Sequence, residues 1–297
     1  MTTKAFHKIY RNAPREQTER LIRFRDTHPH KHLTIAGLEW DYIAGGKGPE
    51  TLLVCVGGAR SSDPAYQLIS ALEGEYRVIA PTYPYADRMD QLVEGIRAIL
   101  DAEGVPNAHI WGTSLGGMVV QCFVRKYPER VKTMIAGDTF IPSPALAEKD
   151  RQQSRWLRFV PLRPLIPWVR NRMNGVITSE IPSESERAFW RAFIDEWLTT
   201  EYNREWILKS REISIDYCEN YSFLPADLSD WAGRILVIDS DTDRTVGAEN
   251  LILLKAMYPR AQTYTFKNAG HVPVITRKDE YISLIRGFLK QQDIKQN

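Results

Sequence analysis

Short apolar runs alternate with amphipathic stretches along most of the chain, and this alternation predicts the fold. The runs are rich in Val, Ile, Leu and Tyr and are bounded by Gly, Pro or Asp, which favours strands. The predicted strands are Leu33–Ala36, Leu38–Ala44, Thr51–Val56, Tyr76–Ala80, His109–Trp111, Val131–Ala136, Ile235–Ile238 and Thr263–Phe266. Thr51–Val56 is apolar at nearly every position, which is typical of a parallel strand buried on both faces.

Helical patterns lie between several of these runs. Asp90–Ala102 repeats apolar residues at helical spacing and ends before Gly104, a residue suited to a C-terminal cap. Further helices are expected at Pro14–Thr27, before the first strand, and at Lys278–Gln291, after the last. Strands that alternate with helices form βαβ units, so we predict an α/β fold with a mostly parallel sheet.

The alternation stops after Ile135 and resumes only at Arg234–Asp239. Residues 142–228 are helical and aromatic in pattern, hold five of the eight tryptophans, and include predicted helices at Ser183–Leu198 and Tyr202–Tyr217. An insertion of this kind is typical of a helical lid over a sheet edge. We therefore predict a helical extension over residues 1–30, a core formed by residues 31–141 and 229–297, and a cap over residues 142–228.

Composition narrows the class of protein. Of the 297 residues 43% are hydrophobic and 26% charged, and the net charge of +2 gives no electrostatic case for a nucleic-acid partner. No segment is apolar enough to predict a secretion signal or a membrane span. The three cysteines are far apart and odd in number, which favours free thiols in the cytoplasm. We expect a cytoplasmic protein acting on a small molecule, with no nucleic acid and no membrane association; its oligomeric state stays open.

The motif Gly112-Thr-Ser114-Leu-Gly116 follows a predicted strand and precedes an apolar helix. A serine hydroxyl is a weak nucleophile, so it needs an unobstructed position beside a base. A sharp strand-to-helix turn supplies that position, and glycines on either side remove side chains that would collide. We predict Ser114 as the nucleophile and the amide of Leu115, at the helix N-terminus, as an oxyanion donor.

Candidate acid and base residues follow the serine along the chain. Asp243 lies in the loop after the strand at Arg234–Ile238, where a carboxylate can orient an imidazole; Asp241 and Asp138 remain alternatives. His271 lies in a loop after the last strand, and the near-neutral pKa of histidine suits a general base. The predicted order Ser, Asp, His agrees with the G-x-S-x-G pattern.

The loop after Thr51–Val56 reads Gly57-Gly58-Ala59 and is expected to supply the second oxyanion amide, from Gly58 or, failing that, Ala59. His28, His30 and His32 alternate as a metal cluster would, but Pro29 and the lack of an attached carboxylate motif favour a solvated surface loop. We predict no metal site.

Together, Val56-Gly-Gly, Gly112-Thr-Ser-Leu-Gly-Gly117, Asp243 and Gly270-His271 resemble the α/β-hydrolase superfamily from about Leu33 to Phe288. The segments Tyr76-Arg-Val-Ile-Ala-Pro-Thr-Tyr-Pro-Tyr and Tyr258-Pro-Arg-Ala are similar to its maspardin-like members. The resemblance implies a sheet of about eight strands, a lid after the sixth strand and an acyl-enzyme mechanism without a cofactor. Two positions depart from the common pattern: Val56 replaces a histidine before the oxyanion loop, and Arg244 replaces a proline after the acid.

These residues predict a carboxylesterase-like hydrolase of an ester or lactone with an apolar part. Dehalogenases and epoxide hydrolases of this fold carry Asp at the elbow, so Ser114 disfavours both. Amide or carbon–carbon bond hydrolysis, perhydrolysis and a non-catalytic binding role remain alternatives. Between Arg151 and Arg172 six arginines and no acidic residue are interleaved with aromatic residues. We expect the aromatic residues to cover the active site and the arginines to stay in water, rather than both to meet a membrane.

Overall fold

The computed structural model describes residues 3–291 and is built around one eight-stranded sheet. The strands are β1 (Lys31–Ile35), β2 (Leu38–Gly45), β3 (Thr51–Cys55), β4 (Arg77–Thr82), β5 (Ala108–Thr113), β6 (Val131–Gly137), β7 (Arg234–Ser240) and β8 (Gln262–Phe266). Their order is β1-β2-β4-β3-β5-β6-β7-β8. β2 pairs antiparallel with both β1 and β4, and the other neighbours are parallel. The predicted α/β fold with about eight mostly parallel strands is confirmed.

Twelve α-helices occur in the described residues, joined in places by short 3₁₀ turns. They are α1 (Thr3–Ile9), α2 (Arg15–Thr27), α3 (Tyr66–Leu72), α4 (Met89–Ala102), α5 (Leu115–Lys126), α6 (Pro144–Leu157), α7 (Ile166–Ile177), α8 (Glu184–Thr200), α9 (Arg204–Asn220), α10 (Ala248–Met257), α11 (Pro273–Thr276) and α12 (Lys278–Leu289). None of these helices is both long and apolar enough to cross a membrane.

The middle of the sheet is buried because helices cover both of its faces. All five residues of β3 are buried, as are ten of the twelve residues of α5 behind β5. This burial explains why the central strands read as continuous apolar runs rather than as an alternation. The parallel strands β3, β5, β6, β7 and β8 end at one edge of the sheet, so the loops that follow them meet there.

The helices α6 to α9 lie between β6 and β7, which agrees with the lid that the resemblance implied after the sixth strand. We call residues 138–233 the cap segment. Pro161 and Pro164 separate α6 from α7, whereas Pro167 lies in the first turn of α7, where its missing N–H costs nothing. The division into extension, core and cap stays a prediction, and residues 1–2 and 292–297 of it lie outside the described part of the chain.

Arg25 on α2 connects three distant parts of the molecule. Its guanidinium donates to Asp63 Oδ2, at 2.8 Å, in the segment after β3 and to Glu196 Oε1, at 2.8 Å, on α8. Tyr10 donates its hydroxyl to the other oxygen of Glu196 at 2.6 Å. Glu196 is buried, so its charge depends on these partners for compensation. The N-terminal helices are therefore tied both to the core and to the cap segment.

We expect Arg25→Met to lower the free energy of unfolding by about 2 kcal/mol, between the values for exposed and for fully buried ion pairs. The reason is that Asp63 and Glu196 would keep their charges without the guanidinium. Chemical denaturation measures the change. Arg15→Met is the control, because Arg15 pairs with Glu19 in an exposed position and its loss should have little effect. Equal stabilities of the two variants would contradict the proposed role of Arg25.

Candidate active site

Ser114 occupies the single residue between β5 and α5, and its backbone is left-handed, with φ 52° and ψ −119°. A non-glycine residue rarely adopts this conformation, and it persists only where the surroundings enforce it. Two glycines allow the close contacts: a Cβ on Gly112 would lie 2.2 Å from the Gly116 carbonyl oxygen, and one on Gly116 would lie 2.0 Å from that of Cys55. The spacing of the motif is thus a packing requirement of the turn.

The backbone of Ser114 is held on both sides while its hydroxyl stays available. Its amide donates to the Gly137 carbonyl at 3.1 Å, and its carbonyl accepts from the Thr139 hydroxyl at 2.7 Å. The side chain makes no capping bond to α5, although Ser114 is the N-cap residue. The Leu115 amide lies at the start of α5, where unpaired N–H groups and the helix dipole favour negative charge.

His271 and Asp243 are brought together at the same edge of the sheet. The Nδ1 atom of His271 lies 2.8 Å from Oδ2 of Asp243, whose side chain is fully buried. The other oxygen of Asp243 accepts from the amides of Thr245, at 2.8 Å, and Val246, at 3.1 Å. Three donors therefore fix this carboxylate, which can hold the imidazole in one orientation.

The last residue of β7 and the loop that follows it also fix the loop that carries His271. Three successive side chains each accept one backbone N–H: Asp241 from Asn268 at 2.8 Å, Ser240 from Ala269 at 3.2 Å, and Thr242 from Gly270 at 3.1 Å. Asp241 thus positions the backbone rather than the imidazole. Ser240 and Thr242 were missed in the sequence, where only their place beside Asp243 pointed to them.

Asp138, the third candidate acid, is buried directly after β6, and within residues 3–291 no hydrogen bond or ion pair joins it to His271, whose partner is Asp243. Its Oδ1 atom has no hydrogen-bond partner among the described residues. Burial first, and then the neighbouring charges of Asp243 and Asp239, raise the pKa of its carboxyl well above the ordinary value of 3.8. A carboxyl in this environment favours the neutral form, which is unsuited to stabilising a cationic imidazole.

The loop after β3 approaches Ser114 through Gly57, where a Cβ would lie 3.1 Å from Cβ of the serine. Gly58, the predicted oxyanion donor, is next in the chain, and its Cβ position faces open space. Two indole N–H groups of the cap segment bind this loop: Trp206 donates to the Gly58 carbonyl at 2.8 Å and Trp197 to the Ala59 carbonyl at 3.2 Å. Since a trans peptide points its N–H away from its C=O, these bonds set the orientation of two successive peptides.

Two expectations about other residues were wrong. His28 is not solvated: it is buried, stacks on Phe24 and lies 2.6 Å from Glu73, because α2 packs it against the segment before β4. The aromatic residues of α6 and α7 do not cover the site either, since Trp156 and Trp168 face solvent. The tryptophans that reach the site loops lie on α8 and α9 instead.

Comparison with known proteins identifies the family of the chain. A family model described as the alpha/beta hydrolase fold matches residues 50–278. The chain belongs to this family. Maspardin of Danio rerio is 25% identical over 280 residues, with 90% of this chain and 85% of maspardin covered, which confirms the resemblance seen in the sequence.

Other members of the α/β-hydrolase family match most of the chain at low identity. Lipase 1 of Psychrobacter immobilis is 22% identical, with 87% of this chain and 83% of the lipase covered. Pyrrolizixenacetamide deacetylase of Xenorhabdus hominickii is 26% identical, with coverages of 85% and 95%. Among solved structures, a thermophilic esterase from Thermogutta terrifontis superposes with a TM-score of 0.70 at 20% identity, covering 89% of this chain and 98% of the esterase. The chain is therefore a relative of hydrolases that differ in the bond they cleave.

The burial of Asp138 leads to a prediction about how stability depends on pH. The pKa of this carboxyl is raised on folding, so above pH 3.8 the unfolded chain releases a proton that the folded chain retains, and stability falls as pH rises. Asp138→Asn removes this penalty. We expect the variant to melt at a higher temperature than the wild type, by a margin that grows from pH 4 upwards, as measured by calorimetry.

Asp26→Asn, a change of an exposed carboxylate on α2, is the control and should show no such widening. A stability difference for Asp138→Asn that shrinks with pH would contradict the raised pKa of Asp138.

Proposed function

We propose that this α/β-hydrolase cleaves a carboxylic ester or lactone through a serine nucleophile, and that Ser114, His271 and Asp243 form its catalytic triad. The observation that carries the proposal is the contact between His271 Nδ1 and Asp243 Oδ2. It lies at the sheet edge where β5 also ends, and Ser114 follows β5 in a left-handed turn. Relatives named lipase and esterase support ester hydrolysis.

In the proposed mechanism, Ser114 Oγ attacks the carbonyl carbon of the substrate while His271 Nε2 takes the hydroxyl proton. Asp243 keeps the proton of His271 on Nδ1 and stabilises the imidazolium that forms. His271 then gives its proton to the leaving alcohol as the acyl-serine forms. Water, deprotonated by His271, hydrolyses the acyl-enzyme and restores Ser114. Every step uses side chains, backbone amides and water alone.

The amides of Leu115 and Gly58 are proposed to stabilise the oxyanion of the tetrahedral intermediates. Donors that are oriented before the reaction stabilise developing charge without reorganisation. The two indole bonds from Trp206 and Trp197 orient the two peptides that follow Gly58, and through them they hold the loop that carries the Gly58 amide. These aromatic rings beside the site also favour a substrate with an apolar part. Three free cysteines, two of them buried, agree with action in the cytoplasm.

We expect Ser114→Ala to reduce hydrolysis of p-nitrophenyl esters by at least about 10⁴-fold, because no other group can form the acyl-enzyme. Assays on a series from acetyl to long acyl chains measure the loss and report the preferred acyl length. Ser70→Ala, at an exposed serine on α3, is the matched control and should retain full activity. A labelled fluorophosphonate should modify the wild type but not Ser114→Ala.

The outcomes distinguish the alternatives. Wild type that reacts with the fluorophosphonate but with no ester in the series indicates a hydrolase of another bond, such as the amide named for the Xenorhabdus relative. Folded wild type that reacts with neither the fluorophosphonate nor the esters would contradict the proposed triad. It would indicate a binding protein on a hydrolase scaffold.

We expect Trp206→Phe to lower kcat about tenfold with little change in KM, because the Gly58 carbonyl loses its donor and the adjacent peptide loses its fixed orientation. The loss should be smaller than the 10²–10³-fold that follows removal of an oxyanion donor itself. Trp190→Phe is the matched control: Trp190 is equally buried in the cap segment, but its indole N–H has no partner among the described residues. An equal fall of kcat in both variants would show that packing, not the hydrogen bond, is responsible.

A further inference from the structure

The corner of the cap segment between residues 155 and 172 turns large aromatic side chains to solvent. Phe159 is 85% exposed, Trp168 59% and Trp156 53%. The opposite faces of the same helices are packed, with Leu157 of α6 buried and Val169 of α7 in a small apolar cluster with α8. These aromatic residues therefore form the outer surface of the two helices, whose opposite faces supply the packing.

Arginines surround these aromatic side chains. Arg158 pairs with Glu212 and Arg170 with Asp195, but Arg155, Arg163 and Arg172 form no ion pair with any carboxylate that the structure describes. Arg172 instead lies 5.7 Å from the ring centroid of Trp168. No acidic residue occurs between positions 151 and 172 to offset the positive charge. The corner thus carries three arginines without an ion-pair partner among the described residues, on an apolar surface.

The backbone of the corner is held in place and has few donors to leave unsatisfied. Arg204 of α9 donates to the carbonyls of Leu157 and, at 2.7 Å, Val160, which fixes the end of α6 and the loop after it. Pro161, Pro164 and Pro167 are exposed, and each adds apolar surface without an N–H group. Because proline has no N–H group, such a surface leaves fewer backbone donors without a hydrogen bond when it moves from water into a less polar environment, and the desolvation free energy is smaller.

We propose that the 155–172 corner docks on the surface of an anionic phospholipid bilayer. Aromatic rings with exposed edges lie at the headgroup level of membranes, and guanidinium groups bind lipid phosphates while their stems stay in the apolar region. Positive charge next to apolar side chains matches both parts of such a surface. Nucleic acid or an acidic protein would meet the arginines but leave three large aromatic side chains without an apolar partner. The expectation of no membrane association is replaced by this proposal, which does not depend on the chemistry of Ser114.

Co-sedimentation of the full-length protein with vesicles tests the proposal. We expect binding to phosphatidylcholine vesicles that contain phosphatidylglycerol, weak binding to phosphatidylcholine alone, and release at high salt. Two triple variants are compared with the wild type. One combines Trp156→Ser, Phe159→Ser and Trp168→Ser, and the other combines Arg155→Gln, Arg163→Gln and Arg172→Gln. We expect each triple variant to bind vesicles about tenfold or more weakly. All six side chains are exposed, and melting curves check that both variants fold.

Two matched controls separate the corner from general surface effects. Ile252→Ser with Leu253→Ser removes exposed apolar side chains of α10, and Arg11→Gln, Arg20→Gln, Arg23→Gln removes the same charge from the N-terminal region. Both controls should bind vesicles as the wild type does. Failure of the wild type to bind anionic vesicles, or an equal loss in the controls, would overturn the proposal. Self-association that the aromatic variant abolishes, without vesicle binding, would overturn it in favour of a second copy of this chain.

Discussion

The arrangement of the whole site depends on one close crossing of backbones at Ser114. The left-handed turn there can exist only because Gly112 and Gly116 leave room for one another and for the end of β3. The same crossing places the proposed oxyanion loop beside the serine, since a Cβ on Gly57 would lie 3.1 Å from the Cβ of Ser114. A side chain at Gly112 would collide with the start of α5, and one at Gly116 would collide with the end of β3. Nucleophile, helix N-terminus and loop therefore form a single geometric unit.

The remaining parts of the site reach this unit from two independent directions. The end of β7 and the loop after it supply Asp243 and also accept from three successive amides of the loop that carries His271, so the acid and the base are held to each other. The cap segment reaches the site from the other side, through the indole bonds to Gly58 and Ala59. Orientation of the proposed base is therefore a property of the sheet edge, whereas orientation of the proposed oxyanion loop depends also on the cap.

Features formed by residues that are close in the sequence could be predicted, whereas most of those formed by distant residues could not. The strands, Ser114 and its glycines could be predicted because a strand, a turn and a helix are local patterns. The contact between Asp243 and His271 was predictable because parallel strands end at one sheet edge, which brings their following loops together. The hydrogen bond from Trp206 to Gly58 joins residues that are 148 positions apart, and no periodic pattern in the sequence predicts it. The environment of Asp138 was hidden for the same reason, because its charged neighbours Asp239 and Asp243 are distant in the sequence.

The two kinds of tryptophan in the cap segment show where composition stops being informative. Trp206 and Trp156 lie in similar helical, arginine-containing stretches, yet one donates to a loop at the site and the other faces solvent. The difference arises from tertiary packing: side chains of α8 and α9, among them Trp190 and Trp206, belong to the main core, whereas Trp156 on α6 faces solvent. A run of aromatic residues in a helical segment can therefore either pack over the site or remain exposed to solvent. Which of the two occurs depends on the helix that packs against the opposite face. In this chain that helix is α9, whose Arg204 donates to the carbonyls of Leu157 and Val160 and so holds the end of α6.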